Sequence, residues 1–257
     1  MTDKFNEWAK SLSGCDGGNE DAKVWISGIE WGYGKGKSQS EEDYQKSTLN
    51  YYKVTLPDEI SKGKFSHGTN YDWMQHITYP FGVSVAKLYA GINGIQISNY
   101  KKYVKDLNGS ELFKMNLYPI AFRNINASLW DTYGLKSITG FDSKETYRLW
   151  CFLNRFPAIS EYVNQKSPDL IICIGLSFLY DFFLCFAGSN SNINIFEEKI
   201  FPNSSDERRY YWALSSNKKT LIFVIPFFSS QSGLNSDKLL EEMAKIISEK
   251  RNKHKVI

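Results

Sequence analysis

Four short, nearly continuous apolar runs constrain this chain most: KVWISGI (23–29), LFKMNLYPI (112–120), DLIICIG (169–175) and TLIFVIP (220–226). A strand with one wet face alternates apolar and polar residues, whereas these runs do not, so both of their faces must be covered. Between them lie stretches with helical spacing. Phe5, Trp8, Ala9 and Leu12 fall at i, i+3, i+4 and i+7, predicting a first helix that ends at Gly14. Further helices are expected in FGVSVAKLYAGI, over 143–166 with a break at Pro157, in SFLYDFFLCF, and in SDKLLEEMAKIISEK. Asp142 and Glu145 have capping-box-like spacing at the head of the 143–166 helix. The rest of 40–110 reads as irregular, with a turn at LNGS. Strands alternating with helices predict an α/β fold: a three-layer α/β/α sandwich around a central four-stranded parallel sheet. A length of 257 residues suits one such domain, here 1–257.

Several classes of protein are excluded on the same evidence. No apolar run approaches the roughly 18 residues of a membrane span, and MTDKFNEWAK lacks the regions of a signal peptide, so a cytoplasmic protein without membrane partners is expected. Cys15, Cys151, Cys173 and Cys185 form no C-x-x-C pair and have no histidine at zinc spacing. They read as buried thiols, and neither metal nor cofactor is expected. His67 and His76, in HGTNYDWMQH, lack the H-E-x-x-H spacing and read as ordinary hydrogen-bonded histidines. Net charge is only +3, yet basic residues gather at Lys35 and Lys37, Lys101 and Lys102, Arg208 and Arg209, Lys218 and Lys219, and in the final residues. Such clusters either track phosphates or stand as solvated charge. Nothing calls for an obligate protein partner.

Ligands of open α/β sheets bind beyond the carboxyl ends of the strands, which directs attention to GIEWG, NLYP, IGLS and PFFSSQS. The first belongs to AKVWISGIEWGYGKGKS, whose end imitates a phosphate-binding G-x-x-x-x-G-K-[ST] loop. Trp31 stands where that loop needs its first glycine, and Gly32 is one residue too close, which shortens the nest of backbone N–H groups. Glu30 is then the residue with chemistry to offer.

The order of these segments resembles the uracil-DNA glycosylase superfamily, in outline over residues 22–247. Its first motif, variously G-Q-D-P-Y, G-I-N-P-G or G-E-A-P-G, is matched by Gly28-Ile29-Glu30-Trp31-Gly32. Asn116 in KMNLYP is similar to a strand-end asparagine that reads the edge of the flipped base. LIICIGLSFLYDFF is similar to the family's strand-glycine-helix unit, and PFFSSQSGL holds the place of its minor-groove loop. Trp31 replaces the motif's proline, and PFFSSQSGL has no histidine.

The resemblance implies a monofunctional DNA glycosylase, with DNA as partner, acting on a damaged or modified base in repair or in defence against phages. Glu30 would orient or activate the water. Gly28, Ile29, Trp31, Gly32 and Asn116 would surround the base, and Tyr79 and Phe81 are candidates to stack on it. Glycine at position 32 removes the tyrosine wall of G-Q-D-P-Y and implies room for a 5-substituted pyrimidine. Tyr33, Lys35, Ser229, Ser230, Gln231 and Ser232 are candidate DNA contacts. Lys114 reads as a strand-interior residue, leaving no lysine for Schiff-base chemistry. Two alternatives stay open: a non-catalytic nucleic-acid-binding or regulatory protein on the same fold, and a nucleotide-processing enzyme that uses GYGKGKS on phosphate.

Overall fold

The computed structural model describes residues 3–32, 39–65, 67–122, 129–188 and 193–254. Among these described residues lie seven strands: β1 (Gly17–Gly18), β2 (Val24–Gly28), β3 (Leu112–Asn116), β4 (Leu170–Ile174), β5 (Phe196–Ile200), β6 (Arg208–Leu214) and β7 (Leu221–Ile225). They form one sheet in the order β1-β3-β2-β4-β7-β6-β5. The four apolar runs supply its parallel centre, β3-β2-β4-β7, and every residue of those four strands is buried. That double burial explains why their sequences do not alternate.

Three antiparallel strands extend the predicted four. β1 pairs with β3, and β6 and β5 continue the sheet beyond β7. Position 18 must be glycine: its φ is +108°, and a β-carbon there would lie 2.1 Å from the Leu112 carbonyl oxygen.

Alternation along the central strands divides the core in two. Trp25, Phe113, Met115, Ile171, Cys173, Ile222 and Val224 face a layer that includes Phe5, Trp8, Phe156, Ile159 and Phe182. Val24, Ile26, Leu112, Ile172, Phe223 and Ile225 face one that includes Val85, Leu88, Tyr89, Leu240 and Met243. The result is the predicted three-layer α/β/α sandwich. Its first helix is Asp3–Lys10, with turns leading on to Gly14 at φ +78°. The last is Asp237–His254.

The 40–110 stretch is mostly helical rather than irregular. Glu41–Asn50 runs through a π turn, Tyr51–Thr55, into Leu56–Ser61, and Trp73–His76, Pro80–Ile92 and Tyr100–Lys105 follow. Pro157 likewise fails to break its helix, which continues from Lys144–Trp150 through a π turn, Cys151–Arg155, into Phe156–Lys166. Proline removes an N–H and crowds the carbonyl four residues back, and a wider turn just before it relieves that crowding. Both π turns stand immediately ahead of such a proline, Pro57 and Pro157. At the head of the second helix Ser143, not Asp142, is the cap, accepting a hydrogen bond from the Thr146 N–H at 3.2 Å.

Candidate functional site

β2 and β3 end side by side, with Gly28 opposite Asn116. Beyond the sheet their continuations stay joined: the N–H groups of Leu117, Tyr118 and Phe122 donate to the carbonyls of Gly28, Ile29 and Trp31 at 3.0, 2.8 and 2.9 Å. Gly28 to Gly32 are thereby held as one wall of a cavity of about 580 Å³ at the carboxyl ends of the strands. This volume lies within the roughly 300–1,000 Å³ of small-molecule sites. Asn116, Tyr79 and Phe81 also line it, so every sequence-expected catalytic and base-binding residue borders one space. Asp16, His76, Gly82, Lys114, Phe122 and Phe227 complete the described lining.

Glu30 projects from a loop, but its side chain is only 6% exposed. Its Oε1 accepts a hydrogen bond from Lys144 Nζ at 3.1 Å, and that ammonium lies 3.6 Å over the Phe122 ring. Among the described residues Oε2 is buried without a hydrogen-bond partner. Burial raises the Glu30 pKa above its ordinary value, opposed by Lys144 and then Arg148. Burial lowers Lys144 in turn, with Glu30 opposing. Lys144 and Arg148 lie four apart, on one face of the helix that Ser143 caps.

Asn116 Nδ2 donates to the Gly14 carbonyl at 2.8 Å, fixing the amide plane. Its Oδ1 occupies the space above Gly28, where a β-carbon would approach to 2.6 Å. Lys114, two residues earlier on β3, is the strand-interior residue expected, shares this face and reaches the cavity. It is ion-paired with Asp16 in a buried setting, the two side chains being 7% and 12% exposed. Burial pulls Lys114 down to about 7, with Cys15 opposing.

A fully buried arginine frames this region. Arg155 donates to the carbonyls of Ala9, Ser11, Ser13, Asn116 and Leu117 at 2.6 to 3.1 Å, binding the loop that leads to Asp16 to the end of β3. His76 is stacked on Tyr71, ring centres 4.4 Å apart, and burial lowers its pKa, with Asp72 opposing. Its wall position was not foreseen.

Tyr79 stands at the cavity rim, 58% exposed. Phe81 packs against Phe227 and Phe228, centroids 5.9 and 5.4 Å away. Ser229, Ser230, Gln231 and Ser232 form an exposed turn outside the cavity lining, which receives Phe227 from the same loop instead. Arg208 braces that turn, donating to the Gln231 and Gly233 carbonyls. Tyr33 and Lys35, with most of GYGKGKS, lie outside the described residues. All four cysteines are buried and free. Among the described residues no helix is long and apolar enough to cross a membrane.

Comparison with protein-family models, with curated proteins and with solved structures finds no match. Fold and cavity together define an α/β/α protein with two buried lysine–carboxylate pairs at the carboxyl end of its parallel strands.

Proposed function

We propose that this protein is a monofunctional DNA glycosylase that hydrolyses the N-glycosidic bond of a damaged or modified base swung out of the helix. The observation that carries the reading is Glu30, whose carboxylate is clamped at one oxygen by Lys144 and, among the described residues, left with the other buried and unpartnered in a cavity wall.

Such a group is suited to a water molecule. Attack on the sugar's anomeric carbon forms a C–O bond as the C–N bond breaks, and positive charge grows on the sugar while negative charge grows on the base. A carboxylate stabilises the first and takes the water's proton, and its raised pKa brings it closer to the value a base needs near neutrality. Asn116 presents an amide that offers donor and acceptor to a base edge. The aromatic lining compensates for the few kcal/mol lost when a nucleotide leaves its stack. At Gly32 an added β-carbon would meet nothing within 4 Å, which supports room for a 5-substituted pyrimidine. Repair and defence against phages bearing modified bases both use this chemistry.

Incubating the protein with duplexes carrying uracil, thymine or enlarged 5-substituted cytosines, then heating in alkali, reports abasic sites. Excision by the wild type that falls by about 10²-fold or more in Glu30→Gln is the expected result. Binding without cleavage refutes the enzymatic reading in favour of a binding protein. Nucleotide turnover without either refutes it in favour of a phosphate-processing enzyme.

A further inference from the structure

The cavity wall holds a second charged pair that water attack at the sugar does not use. Lys114 and Asp16 touch there, both largely buried, beside Asn116. A lysine inside a covered parallel strand is costly, and an apolar side chain would suit position 114 better unless the ammonium has a task.

Lys114 is the one cationic side chain among the described residues of the lining. Lys144 is occupied by Glu30 and lies behind the wall, and His76 is held toward its neutral form by burial and stacked on Tyr71. The Phe81 ring, 5.3 Å from Lys114 Nζ, shields the ammonium from solvent on one side. An ammonium has three donors, and one carboxylate leaves some of them for a ligand. In a site shielded from water, such a donor acts strongly on negative charge. The loop after β7 sends Phe227 to the cavity and contains no imidazole that could do the same work.

We infer that the Lys114–Asp16 pair is the base-edge subsite, taking pyrimidine-like heterocycles with an ionisable ring N–H and stabilising their anionic form. Lys114 donates to the ring oxygen or deprotonated nitrogen that carries the charge, and Asp16 holds the ammonium in place. The inference rests on the glycosylase reading for its role in the reaction, where the anion is the departing base. The subsite itself is testable without any bond being broken.

Calorimetric titration of the full chain at pH 6.5, below the Lys114 value of about 7, uses two free bases of similar shape: 5-nitrouracil, an anion at that pH, and thymine, which is neutral. The wild type is expected to bind 5-nitrouracil at least tenfold more tightly. In Lys114→Met/Asp16→Asn, which removes both charges together, the two affinities should converge to within about twofold, with thermal melting confirming the fold. Lys114→Gln serves as a second variant with the same expectation. Equal affinities in the wild type, or a preference that survives in either folded variant, overturn the inference. A preserved preference without excision overturns the glycosylase reading alone, and excision without preference overturns only the subsite.

Discussion

Replacing Lys144 by Met isolates the clamp on Glu30. Methionine keeps most of the length and apolar contact over the Phe122 ring while deleting the charge 3.1 Å from Oε1. Both side chains of the pair are nearly inaccessible, 1% and 6% exposed, so solvent screens little of the loss. Removing one member of a buried ion pair costs about 3–5 kcal/mol, because the other charge is left uncompensated. For a chain of this size that is a fall in Tm of roughly 6–20 °C. The sign of the pH dependence follows from Glu30. Its carboxyl pKa is already raised by burial above the ordinary 4.5, and losing Lys144 raises it further. The folded variant then holds a proton that the unfolded chain releases, so stability is retained near and below pH 4.5 and lost as pH rises toward the folded value. Urea melts at pH 5 and pH 8 should show the larger penalty at pH 8. Lys144→Met/Glu30→Gln, which removes both charges of the pair, should return to within about 2 kcal/mol of wild type. A penalty under about 1 kcal/mol at pH 8, an equal penalty at both pH values, or a double variant no better than the single one would refute the reasoning.

Two structural substitutions probe the frame of the cavity. Gly28→Ala brings a β-carbon to 2.6 Å from Asn116 Oδ1, so the amide must swing off the Gly14 carbonyl. Urea denaturation should register a loss of about 1–3 kcal/mol, and calorimetry weaker binding of free pyrimidines; unchanged values for both would place the amide elsewhere. Arg155→Met strands five buried carbonyls at about 1–3 kcal/mol each, enough to exceed the stability of a typical domain. Soluble expression with a cooperative melt near the wild-type Tm would contradict that account.

The central strands were readable because burial on two faces leaves a run such as LIFVI with no polar residue to confuse it. The edge strands were not. FEEKI and RRYYWAL are partly exposed, and their charged residues resemble a loop unless the alternation in RRYYWAL is followed. Glu41–Asn50 buries only Tyr44 and Thr48, too little for an apolar stripe, which is why the segment looked irregular. Within the candidate site, the strand-end rule picked out Glu30 and Asn116 because both sit where parallel strands stop. Lys144 lies 114 residues from Glu30, and no local spacing announces such a pair. A signal did exist for Lys114: a single ammonium inside LFKMN, on the same face as Asn116, marks that face as polar at its end.

The Arg155 clamp also bears on the order in which this chain becomes competent during synthesis. Its donors reach Ala9 across 146 positions and Leu117 across 38, and Asn116 waits for Gly14 across 102. A nascent chain leaving the ribosome therefore carries the earliest of these segments unanchored until the guanidinium emerges. Closure over such spans is slow compared with local helix formation. The amino-terminal helix cannot complete this anchoring before residue 155 has been made.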